Sequence, residues 1–87
     1  MPYDGGPMTE AMYYVLLALV HPNHGYQLMT EIEEVSKGRI KMGPGTLYGV
    51  LTRLQKDGLI IVINDDGRRK TYSITEDGRT ALKMEYE

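Results

Sequence analysis

Apolar positions recur along this chain at helical spacing in several stretches and at β spacing in one. The clearest helical stretch lies between Gly43 and Gly58, where Leu47, Val50, Leu51 and Leu54 fall at three- and four-residue steps. Pro44 suits the first turn of such a helix, because its missing N–H would have had no partner there. Gly43 serves as N-cap and Gly58-Leu59 as a stop, so the helix is expected to run to Asp57. The side opposite the leucines carries Gly45, Gly49, Thr52 and Lys56, with Tyr48 and Arg53 on its flanks. Two glycines four apart lay the backbone bare, each at about 1 kcal/mol of helix propensity relative to Ala. Two readings stand: solvent tolerates them, or a large partner must approach that face closely.

Residues 1–8 read as a flexible leader. Thr9 is expected to cap a first helix, with Glu10 where the helix dipole favours an anion. From Ala11 to Val20 there is no charged residue. A helix apolar all the way round must be covered on more than one side: by its own core on one, and by a second copy of the chain on the other. His21-Pro22-Asn23 breaks it, and Asn23 is expected to cap the second helix. That helix shows Tyr26, Leu28, Met29, Ile32 and Val35 at helical spacing, with Glu31, Glu33 and Glu34 outward, and ends at Lys37-Gly38. Ile40 and Met42, alternating with Lys41, predict a short strand or extended link. After Gly58 the period becomes that of a strand, Leu59 to Ile63, then a turn at Asn64-Asp65-Asp66-Gly67 and a return strand from Arg68 to Ile74. Thr75 caps a final helix, which Gly78 weakens at its start.

The order predicts a mostly α fold with a small β-hairpin, a winged helix-turn-helix arranged helix-helix-short strand-helix-hairpin-helix. Residues 9–75 form the winged-helix domain and residues 76–87 a short C-terminal dimerisation helix. In helix-turn-helix docking the second helix of the pair enters the major groove. That puts the glycine-faced helix on the bases, and Arg68, Arg69 and Lys70 on a wing that reaches phosphates.

Charge changes the picture once it is mapped. The net charge of −2 argues against nucleic acid. Yet from Lys37 to Tyr72 eight cations stand against three acids, giving +5, while Arg79 and Lys83 face nine acids elsewhere, giving −7. The positive part holds the glycine-faced helix, and Lys41 and Lys56 belong to it.

The remaining composition narrows the class. Eighty-seven residues make one small domain. Cysteine is absent, which removes disulfides and thiolate metal sites and permits a reducing cytoplasm, where the chain is expected to reside. No apolar run approaches the roughly 18 residues of a membrane span, and no signal peptide is readable around Asp4, Gly5, Gly6 and Pro7. His21 and His24 are three apart but lack a third ligand, so no metal or other cofactor is expected. Neither Ser36 nor Ser73 sits in a nucleophilic constellation, so there are no catalytic residues and no enzyme is expected. Tyr13 and Tyr14 on the uncharged helix suit packing, or the lining of a ligand cavity between subunits.

The chain resembles the PadR family of bacterial winged-helix transcriptional regulators from Thr9 onward. The matching pieces are His24-Gly25-Tyr26-Gln27-Leu28, Gly43-Pro44-Gly45-Thr46-Leu47-Tyr48, Leu51-x-Arg53-Leu54-x-x-x-Gly58-Leu59-Ile60, Gly67-Arg68-Arg69-Lys70-x-Tyr72 and Ile74-Thr75-Glu76-Asp77-Gly78-Arg79. The resemblance implies a dimeric repressor that leaves a double-stranded DNA operator when it meets a small-molecule effector or stress signal. It also implies that Tyr26, Thr46, Tyr48 and the wing cations lie at the DNA. The candidate DNA face is thus Tyr26, Lys41, Gly45, Thr46, Tyr48, Gly49, Thr52, Arg53, Lys56, Arg68, Arg69 and Lys70. The candidate homodimer face is Met12, Tyr13, Tyr14, Leu16, Leu17, Leu82 and Tyr86. Two features depart from the family: it usually places Ser where Gly43 stands, and about 12 residues follow Thr75, roughly 18 Å if helical, where relatives carry more. The other function class is a winged helix used for protein–protein contact, with Ile61 and Ile63 as an exposed apolar strand.

Overall fold

The computed structural model describes residues 9–67 and 69–86, without the side chains of residues 85 and 86. The leader over residues 1–8, the wing residue Arg68 and the Tyr86 side chain lie outside the described residues. The first helix, α1 (Glu10–Ala18), starts where Thr9 Oγ1 accepts a hydrogen bond from the Met12 N–H at 3.1 Å. It packs against both helices that follow and against the last one. Val15, Leu16 and Leu19 are wholly buried, so this uncharged segment is the hub of the core.

The extended pair Asn23–His24 forms β1, followed directly by α2 (Gly25–Val35). The expected cap at Asn23 is displaced by one residue. His24 occupies the N-cap position without a side-chain bond, because Asn23 and His24 are held extended by antiparallel pairing with Tyr72 and Thr71. The Asn23 carboxamide instead accepts from the His24 N–H at 2.9 Å and donates to Glu31 Oε2 at 2.8 Å. α2 ends in a tight left-handed exit, with Lys37 at φ 56° and Gly38 at φ 80°. Gly38 N–H donates to Glu33 O at 2.7 Å and Lys37 N–H to Glu34 O at 3.1 Å, the paired bonds that satisfy a helix's last carbonyls.

The stretch from Ile40 to Met42 is not a strand; the third strand of the sheet is β1. The buried Ser36 hydroxyl accepts from the Ile40 N–H at 3.0 Å, so this turn is bonded to a side chain and not to a ladder. The glycine-faced helix is α3 (Pro44–Lys56), with Gly43 as N-cap and Asp57 as C-cap. Leu47, Leu51 and Leu54 are buried beneath it. Gly58, at φ 77°, closes it, with Leu59 N–H on Leu54 O at 2.9 Å and Gly58 N–H on Gln55 O at 3.1 Å.

The hairpin is β2 (Ile60–Asp65) and β3 (Lys70–Ile74), its first strand running on past Ile63 to Asp65. The sheet order is β1-β3-β2, antiparallel throughout. Val62 pairs with Tyr72 and Asn64 with Thr71, so Ile63 is an extra residue in a bulge. The final helix, α4 (Glu76–Tyr86), begins at Thr75, whose Oγ1 accepts from the Gly78 N–H at 3.0 Å and donates to Gly58 O at 2.7 Å. One hydroxyl thus fastens the start of α4 to the end of α3. Gly78 is required here: a Cβ would overlap the Leu59 carbonyl oxygen and stand 2.6 Å from Ile74 Cγ1.

Candidate nucleic-acid interface

On α3, successive residues are turned by about 100°, which puts Gly45, Gly49, Thr52 and Lys56 directly opposite the buried leucines. All four are exposed, as are Thr46 and Arg53 beside them. Among the described residues, nothing beyond the helix's own nearby backbone and the adjoining residues lies within 4 Å of where a Cβ would stand at Gly45 or Gly49. Gly25 and Gly78 are different, since a side chain on either would overlap its neighbours. Packing therefore explains two of these glycines and leaves the two on α3 without an internal reason. No side chain caps the start of α3, which leaves its first N–H groups without a side-chain acceptor.

A second stripe of α3, Tyr48, Thr52 and Gln55, faces the wing across a recess of about 560 Å³. The start of α2 contributes Gly25 and Tyr26 to this recess, and the wing contributes Asp65, Gly67, Arg69, Lys70 and Tyr72. Tyr26 is 75% exposed and Tyr48 45%. Tyr48 lies across the start of α2, where a Cβ on Gly25 would stand 2.6 Å from its hydroxyl oxygen. Thr52 donates its hydroxyl back to Tyr48 O at 2.8 Å, leaving its lone pairs outward. Burial pushes the Tyr72 phenol above its ordinary pKa of 10.0, with Tyr48 and Asp65 adding to the shift, so Tyr72 keeps its proton.

The wing tip is built by its acids. Asp65 Oδ1 accepts from the Gly67 N–H at 2.9 Å, and Asp66 Oδ1 from the Arg69 N–H at 2.8 Å, while Gly67 takes φ 90°. These bonds occupy the carboxylates in the turn and leave the Arg69 and Lys70 side chains exposed.

Among the expected DNA-face residues, Tyr26, Tyr48, Thr52, Arg69 and Lys70 meet at the recess. Gly45, Thr46, Gly49 and Lys56 lie on α3 outside it, and Lys41 is exposed on the turn before α3. Arg53 is bound to Asp57 at 2.9 Å along its own helix, an exposed pair weak enough to exchange for another anion. Arg39 is bound to Glu10 at 2.9 Å, so the positive region holds fewer unengaged side chains than its sequence count. Gly25, Gln55, Asp65, Gly67 and Tyr72 also line the recess and stand outside the face expected from the sequence. Gln55 was available from spacing, three beyond Thr52 and seven beyond Tyr48. Tyr72 was not, because its alternation with Ile74 marks it only as inward.

The other expected face needs correction. Leu16 is 0% exposed and Met12 is buried, both in the chain's own core, so neither has surface to offer a second copy. The outward part of α1 is Tyr13, Tyr14 and Leu17, and Tyr13 and Leu17 line an apolar recess of about 360 Å³ with Arg79, Leu82 and Lys83. Tyr13 and Tyr14 meet edge to face at 5.3 Å. Among the described residues, no helix is long and apolar enough to cross a membrane, and no three metal-ligating side chains cluster.

A bundle of helices carrying a two-stranded wing beside its third helix is a winged helix-turn-helix domain. The family model of the transcriptional regulator PadR-like family matches residues 15–84, and the chain belongs to that family. It is 34% identical over 61 residues to the transcriptional regulator YqjI of Escherichia coli, covering 70% of this chain and 30% of that one. The chain spans less than a third of the length of the curated relatives it matches first, 22% and 30%. Among solved structures, RosR of H. salinarum superposes with a TM-score of 0.82 at 25% identity, covering 95% of this chain and 74% of that one. PadR of Bacillus subtilis, crystallised in complex with operator DNA, shares the fold with a TM-score of 0.77 at 22% identity, covering 92% of this chain and 48% of that one.

Proposed function

We propose that this chain binds double-stranded DNA as a homodimeric transcriptional repressor, laying the Gly45–Gly49–Thr52 face of α3 in the major groove. The carrying observation is that Gly45 and Gly49 stand opposite the core with open space around them. Each weakens α3, and among the described residues no neighbour requires either. A bare helix face lets the backbone come close to base edges, with Thr46 and Thr52 as short hydrogen-bonding groups beside it. Arg69 and Lys70, with Arg68, reach phosphates from the wing, and Lys41 and Lys56 flank the same side. Kinship with transcriptional regulators supports the reading.

In the same reading, two copies meet through Tyr13, Tyr14 and Leu17 of α1 with Leu82 of α4, and release follows a small-molecule or stress signal. Selection from randomised duplexes tests this. It should recover a two-fold repeat with half-sites about one helical turn apart; enrichment of no sequence would contradict it. One observation favours the other class: Ile61 and Ile63 are 49% and 51% exposed on the sheet's edge strand. Weak DNA binding insensitive to salt would turn the assignment towards a protein-contact module.

A further inference from the structure

The recess between α2, α3 and the wing contains a polar group that the fold leaves unanswered. Tyr72 is only 5% exposed, yet it lines the recess, and among the described residues its hydroxyl has no hydrogen-bond partner. The ring is buried but the oxygen is not wholly enclosed, since among the described residues the wholly buried side-chain polar atom without a partner is His24 Nδ1. The Tyr72 hydroxyl therefore opens on the recess. The Tyr48 hydroxyl opens on the same space, brought over the start of α2 by the absence of a side chain at Gly25. α2 starts there with no side-chain cap, so its first N–H groups and the positive end of its dipole lie at the recess wall. Arg69 and Lys70 close it from the wing, and one acid, Asp65, also borders it with Oδ1 engaged by the turn. Two phenols, a helix start and two cations make a donor-rich pocket suited to an anion with several oxygens.

Resting on the DNA-binding reading above, we propose that this recess seats one backbone phosphate of the bound duplex, held by the Tyr48 and Tyr72 hydroxyls. Thr52 connects the two surfaces, since it belongs to the glycine face and also lines the recess. A strand followed by α3 in the groove passes from Thr52 into the recess before it reaches Arg69 and Lys70. Tyr72 is then a positioning residue that sets how α3 lies relative to the strand, by a neutral contact that carries no base information itself.

Tyr72→Phe removes the hydroxyl and keeps the buried ring. Against a duplex recovered by selection, affinity should fall roughly tenfold, the scale of one hydrogen bond to a charged group. The salt slope should stay unchanged, since a phenol displaces no counterion. Single methylphosphonate replacements along the duplex should identify one position where the wild-type chain drops to the level of Tyr72→Phe and the variant weakens no further. Asp65→Asn, whose amide oxygen still serves the Gly67 N–H, should tighten binding. A Tyr72→Phe chain that binds like wild type, or a weakening attached to no single phosphate, would overturn the seat while leaving DNA binding in place. Saturable binding of inorganic phosphate alone at micromolar concentration would reassign the recess to a free anion. A wild-type chain that binds no duplex would overturn the DNA reading and this seat with it.

Discussion

At the scale of single residues, glycine stands in two distinct settings in this chain, and substitutions separate them. Gly78 faces the Leu59 carbonyl and Ile74, so Gly78→Ala should lower stability by about 1–3 kcal/mol by overpacking, despite its better helix propensity. Gly49 has open space, so Gly49→Ala should raise stability by up to about 1 kcal/mol; thermal denaturation of the two variants checks the contrast. From the sequence both were glycines inside helices, and Gly78 read only as a weakness. The distinction depends on how closely the start of α4 approaches Leu59 and the end of β3, which no local pattern encodes. Tyr72 gives a pH test. Its folded pKa is raised above the 10.0 of the free phenol, so the native state holds that proton more tightly than the unfolded chain. The associated stability is fully present below pH 10 and is lost as the pH rises through the higher folded value. Tyr72→Phe should flatten that alkaline decline in a denaturation series.

Among the elements, α3 was the most legible. Its proline start, glycine stop and leucine spacing are local signals, and tertiary packing only confirms them. The hairpin was legible through Asp65-Asp66-Gly67, whose two carboxylates accept backbone N–H bonds within the turn. What could not be read was long-range: β1 is two residues long and exists only because β3 runs beside it. Likewise, the uncharged α1 has no polar stripe to phase it, so Met12 and Leu16 could not be told from Leu17 until the other helices were in place. The wing carries an electrostatic prediction. Replacing Arg68, Arg69 and Lys70 together by glutamine should lower the salt slope of DNA binding by about 0.9 for each phosphate no longer neutralised. Titrations at several salt concentrations measure it, and an unchanged slope would take the wing off the backbone. The joint between α3 and α4 rests on Thr75; Thr75→Ala should cost about 1–2 kcal/mol in urea denaturation.

For the whole molecule, two surfaces differ in chemistry: a polar recess and bare helix face make one, and an apolar recess between α1 and α4 the other. The apolar side predicts self-association. Leu17→Glu places a charge in that recess and should separate the subunits in sedimentation equilibrium at micromolar concentration, with helix content retained; a wild-type chain that is already monomeric, alone and with DNA, would contradict the dimer. Close approach of the α3 glycine face to the bases is what Gly49→Leu probes. A Cβ there has open space around it among the described residues, so the variant should remain at least as stable as wild type. Held out of the groove by that side chain, it should bind the selected duplex at least tenfold more weakly, equivalent to about 1.4 kcal/mol. A stable Gly49→Leu chain that binds the duplex as tightly as wild type would contradict the account, because α3 would then not approach the bases through its glycine face.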